Sequence, residues 1–304
     1  MIFQRHKKRR RQTASRSCSR LAGRRRWIKN AFTLIEILVI ISIIALLVSI
    51  LLPSLTRAKE LAQMAVCAVS ARGLVQTNHL YASDNNDRYV LAAEDIDVDL
   101  GDMHGGHHRW HGYRDAAFDT FDPLRGSLRE YMPSELKECP TFSRMEGQFV
   151  DEEERFERGA GGYGYNAGYI GGRYDLYDPS SWDISTWGEA YKYSAKTSDI
   201  TRSAETIMFA EAAMVKKEGS SLKFFDYSFC EPPFHVKPQG SGGRAYPSIH
   251  FRHMGQANVA WADEHVSPEV LANSNGEYGA TKAQVRDMNI GWFGPDSNEL
   301  FDLE

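Results

Sequence analysis

The sequence predicts an α+β protein: a long N-terminal helix, membrane-spanning in its first half, packed on an antiparallel β-sheet head with large loop insertions. Three observations predict it. Residues 31–52 form an apolar run with a single charge, Glu36. Residues 54–82 continue in helix-favouring Ala and Leu without a further proline. Beyond them come short β-branched or aromatic segments bounded by Gly, Pro, Asn and Asp. At 304 residues, 42% hydrophobic and 25% charged, the chain has material for one large domain or two small ones, at roughly 150 residues each. That composition excludes collagen-like, low-complexity and wholly disordered chains.

The charge is unevenly spread. Residues 1–31 hold twelve of the 36 Lys and Arg and no Asp or Glu, which leaves 24 basic against 40 acidic residues in the remainder. A basic head on an acidic body fits a nucleic-acid arm, a polybasic membrane patch or a targeting leader. The apolar run decides among them. As a helix it reaches about 33 Å, enough to cross a hydrocarbon core. So long and pure a run is uncommon inside a soluble protein. The positive charges before it hold the N-terminus in the cytoplasm and place the acidic body outside the inner membrane. No helix-turn-helix or zinc-finger spacing accompanies the arginines, so no nucleic-acid partner is expected.

An ordinary secretory signal places its small-residue cleavage site after the apolar stretch. Here the small residue, Ala31, precedes it, and Phe32-Thr33-Leu34-Ile35-Glu36 heads the apolar run. This arrangement resembles the class III signal of type IV prepilins and type II secretion pseudopilins. The resemblance implies a pilin-like fold and cleavage by a prepilin peptidase between Ala31 and Phe32, with N-methylation of Phe32; Ala31 stands where the family usually has Gly. It also implies other pilin subunits and the membrane as partners, and pairing of Glu36 with the Phe32 amine of a neighbouring subunit. An intramembrane carboxylate costs several kcal/mol unless paired, which on physical grounds alone marks Glu36 as functional. Pro53 lacks a helix-ladder N–H and is expected to kink or break the helix; pilins of this family often carry a proline there. Further likeness lies in Cys67, Gly73-Leu74, Tyr81 to Tyr89, Cys139-Pro140, Tyr163-Gly-Tyr-Asn166 and Glu205 to Phe209. Most telling is His253-Met-Gly-Gln-Ala-Asn-Val-Ala-Trp-Ala-Asp263-Glu264, which resembles the H-X9-DG domain of large prepilin-like proteins, with Glu264 in the place of the Gly.

The organisation follows: a basic leader 1–31, a transmembrane helix 32–52, its amphipathic continuation 53–83, and a β-rich head 84–304 outside the inner membrane that contains motif 253–264. Leu55, Ala58, Ala62, Ala65, Val69, Gly73 and Leu80 recur at helical spacing and are expected to pack under the sheet. Segments 32–82 as one helix span about 75 Å. Strands are expected at 163–170, 206–214, 222–229, 248–253 and 258–262, and loops at 101–112, 151–162 and 237–244.

Several constellations are weighed as chemistry. His104, His107, His108 and His111 fall within eight residues, but Gly105 and Gly106 oppose a helix and no HExxH or Cys pair accompanies them. An exposed polar loop is preferred over a Zn site. Asp95, Asp97 and Asp99 have EF-hand-like spacing without the required Gly and Glu, so a strand with one wet face is preferred over a Ca site. Gly159-Ala-Gly-Gly-Tyr-Gly164 matches GxGxxG but lacks the strand before and the helix after that a nucleotide site needs. A turn at 254–257 is expected to pair His253 with Asn258 and to keep His253 apart from Asp263, and Glu264 tolerates a positive φ poorly.

Cleavage removes Cys18, and a head outside the inner membrane motivates a Cys139–Cys230 disulfide that leaves Cys67 free and buried. No cofactor and no catalytic residue are expected. The function class is a polymerising or docking filament subunit in the bacterial inner membrane, single-pass, with its head periplasmic or extracellular. The alternative is a monomeric anchored binding module, for instance for glycans, using Trp182, Trp187 and Gly291-Trp-Phe-Gly294.

Overall fold

The computed structural model describes residues 33–98, 100, 105–132, 138–145, 148–151, 157–176, 188–235 and 243–304. The leader 1–31, with Ala31 and Cys18, lies outside them, as do Phe32, His104, Trp182 and Trp187. The chain divides into two units, Met1–Leu52 and Pro53–Glu304.

Helix α1 (Leu34–Asp84) contains every residue of the apolar run from Leu34 onward. Residues 34–52 are exposed throughout, so this segment is not the core helix of a soluble fold. It is long and apolar enough to cross a membrane. Pro53 lies inside α1 and does not end it, so of the expected kink or break the break does not occur. The helix stops where Asn86 and Asp87 enter the left-handed region, φ 56° and 61°. Both residue types tolerate that conformation better than most.

The second unit is built on a four-stranded antiparallel sheet. Its strands are β3 (Tyr163–Tyr165), β4 (Ile207–Glu211), β8 (Gln256–Trp261) and β9 (Val266–Val270), in that order across the sheet. Strand β4 is buried along its whole length. A bulge between Ile207 and Phe209 shifts its register on β8. Three two-stranded pairs surround it. They are β1 (His108–Arg109) with β2 (Gly112–Tyr113), β5 (Met214–Glu218) with β6 (Ser221–Phe225), and β7 (Ile249–His250) with β10 (Ile290–Gly291). A short helix α2 (Lys282–Asp287) starts with a Thr281/Gln284 capping box. The expected strands 163–170, 206–214, 222–229, 248–253 and 258–262 fall on β3, β4, β6, β7 and β8, several of them cut short by turns. Of the strand expected over 95–100, residues 94–97 form a turn and Asp99 lies outside the described residues.

The buried face of α1 is Cys67, Ala71, Leu74, Val75, Thr77, Asn78 and Ala82. This corrects the predicted stripe. Leu55, Val69 and Leu80 are 66%, 73% and 56% exposed, and at 100° per residue they lie on the side of the helix opposite Asn78. The amide of Asn78 explains how a polar residue faces the core. Its Nδ2 donates to the Tyr165 hydroxyl (3.0 Å) and its Oδ1 accepts from the Val90 N–H (3.0 Å). Tyr165 stacks on Phe209 with centroids 4.8 Å apart, and Trp110 meets Phe209 edge-on.

Candidate functional site

At the start of α1, Thr33 and Glu36 cap the helix reciprocally. The Thr33 N–H and hydroxyl each donate to Glu36 Oε2 at 2.8 Å, and the Glu36 N–H donates to Thr33 Oγ1 at 3.2 Å. Thr-x-x-Glu ahead of an apolar run is a capping box, a local signal present in the sequence and missed there. It gives the carboxylate donors within its own chain.

The motif 253–264 forms the hairpin entry and exit of β8. His253 pairs with Gln256, not with Asn258, because the turn is the tight pair Met254-Gly255, φ 53° and 82°. At the other end Asp263 accepts from the His265 N–H at 3.1 Å, and the His265 ring lies 2.5 Å from the same oxygen. Glu264 holds φ 72°, so the turn keeps the backbone a Gly would adopt despite its side chain. Gln76 on α1 donates to Glu264 Oε2 at 3.0 Å.

His253 meets three residues that are distant in sequence. Cys67 comes from α1, Cys139 from the loop whose N–H donates to Gly161, Glu211 from the last position of β4, and His253 from the turn before β8. All four are buried. The Cys67 thiol donates to Cys139 Sγ at 3.0 Å, and His253 Nε2 lies 3.6 Å from Cys139 Sγ and 2.7 Å from Glu211 Oε1. One donor atom from each of the four lies within 4.8 Å of every other. Asn258 fixes the carboxylate, donating its N–H to Oε2 at 3.0 Å and its Nδ2 to Oε1 at 3.1 Å. The Thr141 hydroxyl sits 3.4 Å from His253 Nδ1.

The expected Cys139–Cys230 bridge is therefore replaced. Cys139 faces Cys67, and all three described cysteines are free and buried. The hydrogen bond between the two thiols pushes Cys67 up and pulls Cys139 down, so Cys139 gives up its proton first. Burial acts against charge on His253, but its bonds to Cys139 and Glu211 outweigh burial and push it up to about 9. Arg252 adds positive charge felt at Cys139. Its guanidinium lies 4.5 Å from the Phe142 ring centre and donates to the Ala212 carbonyl at 2.6 Å.

The histidine segment is not an exposed polar loop. His108 opens β1, and Asp95 accepts from the His107 and His108 N–H groups at 2.9 and 3.0 Å. His111 is 1% exposed, edge-on to Trp110 and Phe121, with no hydrogen-bond partner for either ring nitrogen among the described residues. Arg109 and Glu157, both buried, form a forked ion pair at 2.6–3.0 Å, joined by the Ser228 hydroxyl. Trp292 and Phe293 are buried as well, so Gly291-Trp-Phe-Gly294 is no exposed aromatic platform. The GxGxxG segment leads into β3.

No family model, no characterised protein and no solved structure matches this chain.

Proposed function

We propose that this chain is a prepilin-like subunit that polymerises or docks through α1 in a type IV pilus or a type II secretion pseudopilus. In this reading a prepilin peptidase cuts between Ala31 and Phe32 and methylates the new terminus. The helix then anchors the protein in the inner membrane, N-terminus cytoplasmic and head outside, before it enters the filament. Binding and assembly, not catalysis, are the role.

One observation carries the reading. Residues recurring at the helical period leave one side of α1 beyond Pro53 bare, although that side is rich in apolar residues. Leu55, Ala58, Ala62, Val66, Val69 and Leu80 are exposed there, while from Cys67 onward the other side is buried. Contiguous exposed apolar surface of this kind marks an interaction face. A plain membrane anchor needs no such face outside the bilayer; a subunit whose helix packs against neighbouring helices does. Glu36 is consistent with it: the carboxylate capped by Thr33 in one chain can pass to the Phe32 amine of the next.

The test is the N-terminal residue of protein extracted from membranes. N-methylated Phe32 is expected. An intact leader, or a chain that begins beyond Leu52 after ordinary signal removal, contradicts the reading.

A further inference from the structure

We infer that Cys67, Cys139, Glu211 and His253 form a structural zinc site that ties α1 to the head. The inference stands apart from filament assembly, since it concerns only the second unit. It starts from the donor set. Two thiols, one imidazole and one carboxylate are the ligand types of four-coordinate zinc, and two sulfurs disfavour the hard cations calcium and magnesium. Convergence comes next. Four separate stretches of chain each deliver one donor to a space within which all donor atoms lie no more than 4.8 Å apart. Bonds of about 2.0–2.3 Å in a tetrahedron put donors roughly 3.3–3.8 Å from one another. The Cys139–His253 separation of 3.6 Å already has that value. The thiol pair at 3.0 Å and the His253–Glu211 contact at 2.7 Å are shorter and the widest separation, 4.8 Å, is longer, so seating the ion moves some donors apart and draws others together by about 1 Å.

The surroundings complete the site as outer partners do. A ligating imidazole has its second nitrogen held by a polar group, and a ligating carboxylate is itself hydrogen-bonded. Thr141 stands at His253 Nδ1, which leaves Nε2 for the ion. Asn258 anchors both oxygens of Glu211. Asn258 also donates to the Met64 carbonyl at 3.1 Å, which joins the carboxylate's support to α1 itself. Two thiolates and a carboxylate around Zn²⁺ leave one net negative charge, and Arg252 supplies the opposite charge. On loading, the ligands bind deprotonated, so protons held by the thiols and by the imidazole leave as the Zn–S and Zn–N bonds form. Four protein ligands and full burial leave no open position for water or substrate, which makes the site structural.

The experiment uses the full chain in detergent, purified under reducing conditions and loaded with zinc or cobalt alone. Elemental analysis is expected to find one zinc per chain, and cobalt the visible bands of a tetrahedral thiolate site. Cys67→Ser, Cys139→Ser and His253→Ala are expected to lose the ion, while Cys230→Ser keeps it. Should the first three not fold, the wild-type chain still decides. Zinc is expected to protect Cys67 and Cys139 from alkylation, and a chelator to abolish the protection. Absence of bound metal after loading overturns the inference. So does a wild-type mass two hydrogens lighter with Cys67 bonded to Cys139, which makes the pair a disulfide, and so does an octahedral cobalt spectrum.

Discussion

Replacing His111 by Phe tests how the segment 107–114 is held. The ring is 1% exposed between Trp110 and Phe121, and neither nitrogen has a partner among the described residues. Phe has nearly the same shape and removes both polar atoms. A buried unsatisfied group costs about 1–3 kcal/mol, so the variant is expected to gain about 1–2 kcal/mol at neutral or mildly basic pH. Burial first, then the charges of Arg109 and Arg114, hold the His111 pKa well below its ordinary 6.5. The unfolded chain therefore takes up a proton there as pH falls below about 6.5, and the folded chain does not. Stability from this group is present above that pH and is lost at about 1.4 kcal/mol per unit below it. Glu231 has the opposite sign. Burial pushes it up to about 7, so its contribution is full at low pH and is lost as pH rises from the usual carboxylate range through 7. Both proteins share Glu231, so the difference between them isolates His111. Urea titrations from about pH 8 to about pH 5 should show the gap widening, by up to about 2 kcal/mol. A gap that stays constant, or a variant less stable than wild type at pH 8, refutes the reasoning.

Glu264→Gly removes a left-handed residue that costs about 1 kcal/mol, less the exposed bond from Gln76, and should raise stability by about 0.5–1 kcal/mol in the same titration. A loss in place of a gain would show that the Gln76 contact matters more than the backbone. Glu157→Ala leaves the buried Arg109 guanidinium unpaired and should cost about 3–5 kcal/mol; an effect below about 1 kcal/mol on the urea midpoint contradicts the buried pair. Glu36→Leu should still insert and still be cleaved after Ala31, since removing an intramembrane acid eases insertion by about 2–3 kcal/mol on insertion scales. It should nevertheless be missing from sheared polymers, and normal incorporation would dismiss Glu36 as an assembly residue.

The long helix and most strands were legible because apolar run length and short β-branched segments are local signals. The inward face of α1 was not. Periodicity selected Leu55, Val69 and Leu80, the more apolar side, whereas the side that packs carries Cys67, Thr77 and Asn78. Asn78 belongs inside only because Val90 and Tyr165 come to meet its amide, and no helical wheel shows that. The four-donor cluster was hidden for a related reason: Cys67 and Cys139 lie 72 residues apart, Glu211 and His253 42. No short-range metal spacing connects them. A signal did exist, since Cys67, Cys139-Pro140 and His253 all lie in segments that carry the prepilin-like resemblance. The histidine segment misled in the opposite sense. Four clustered imidazoles read as polar surface, yet the bulky neighbours Trp110 and Phe121 draw His111 into the core.

Assembly through α1 is tested most directly by a photo-crosslinking side chain at Val69, which is 73% exposed on the bare apolar face. In cells expressing the full chain, illumination is expected to yield a ladder of covalent multimers whose cross-linked peptides join α1 of one copy to α1 of another. Monomer alone, or cross-links only to lipid, would contradict the account.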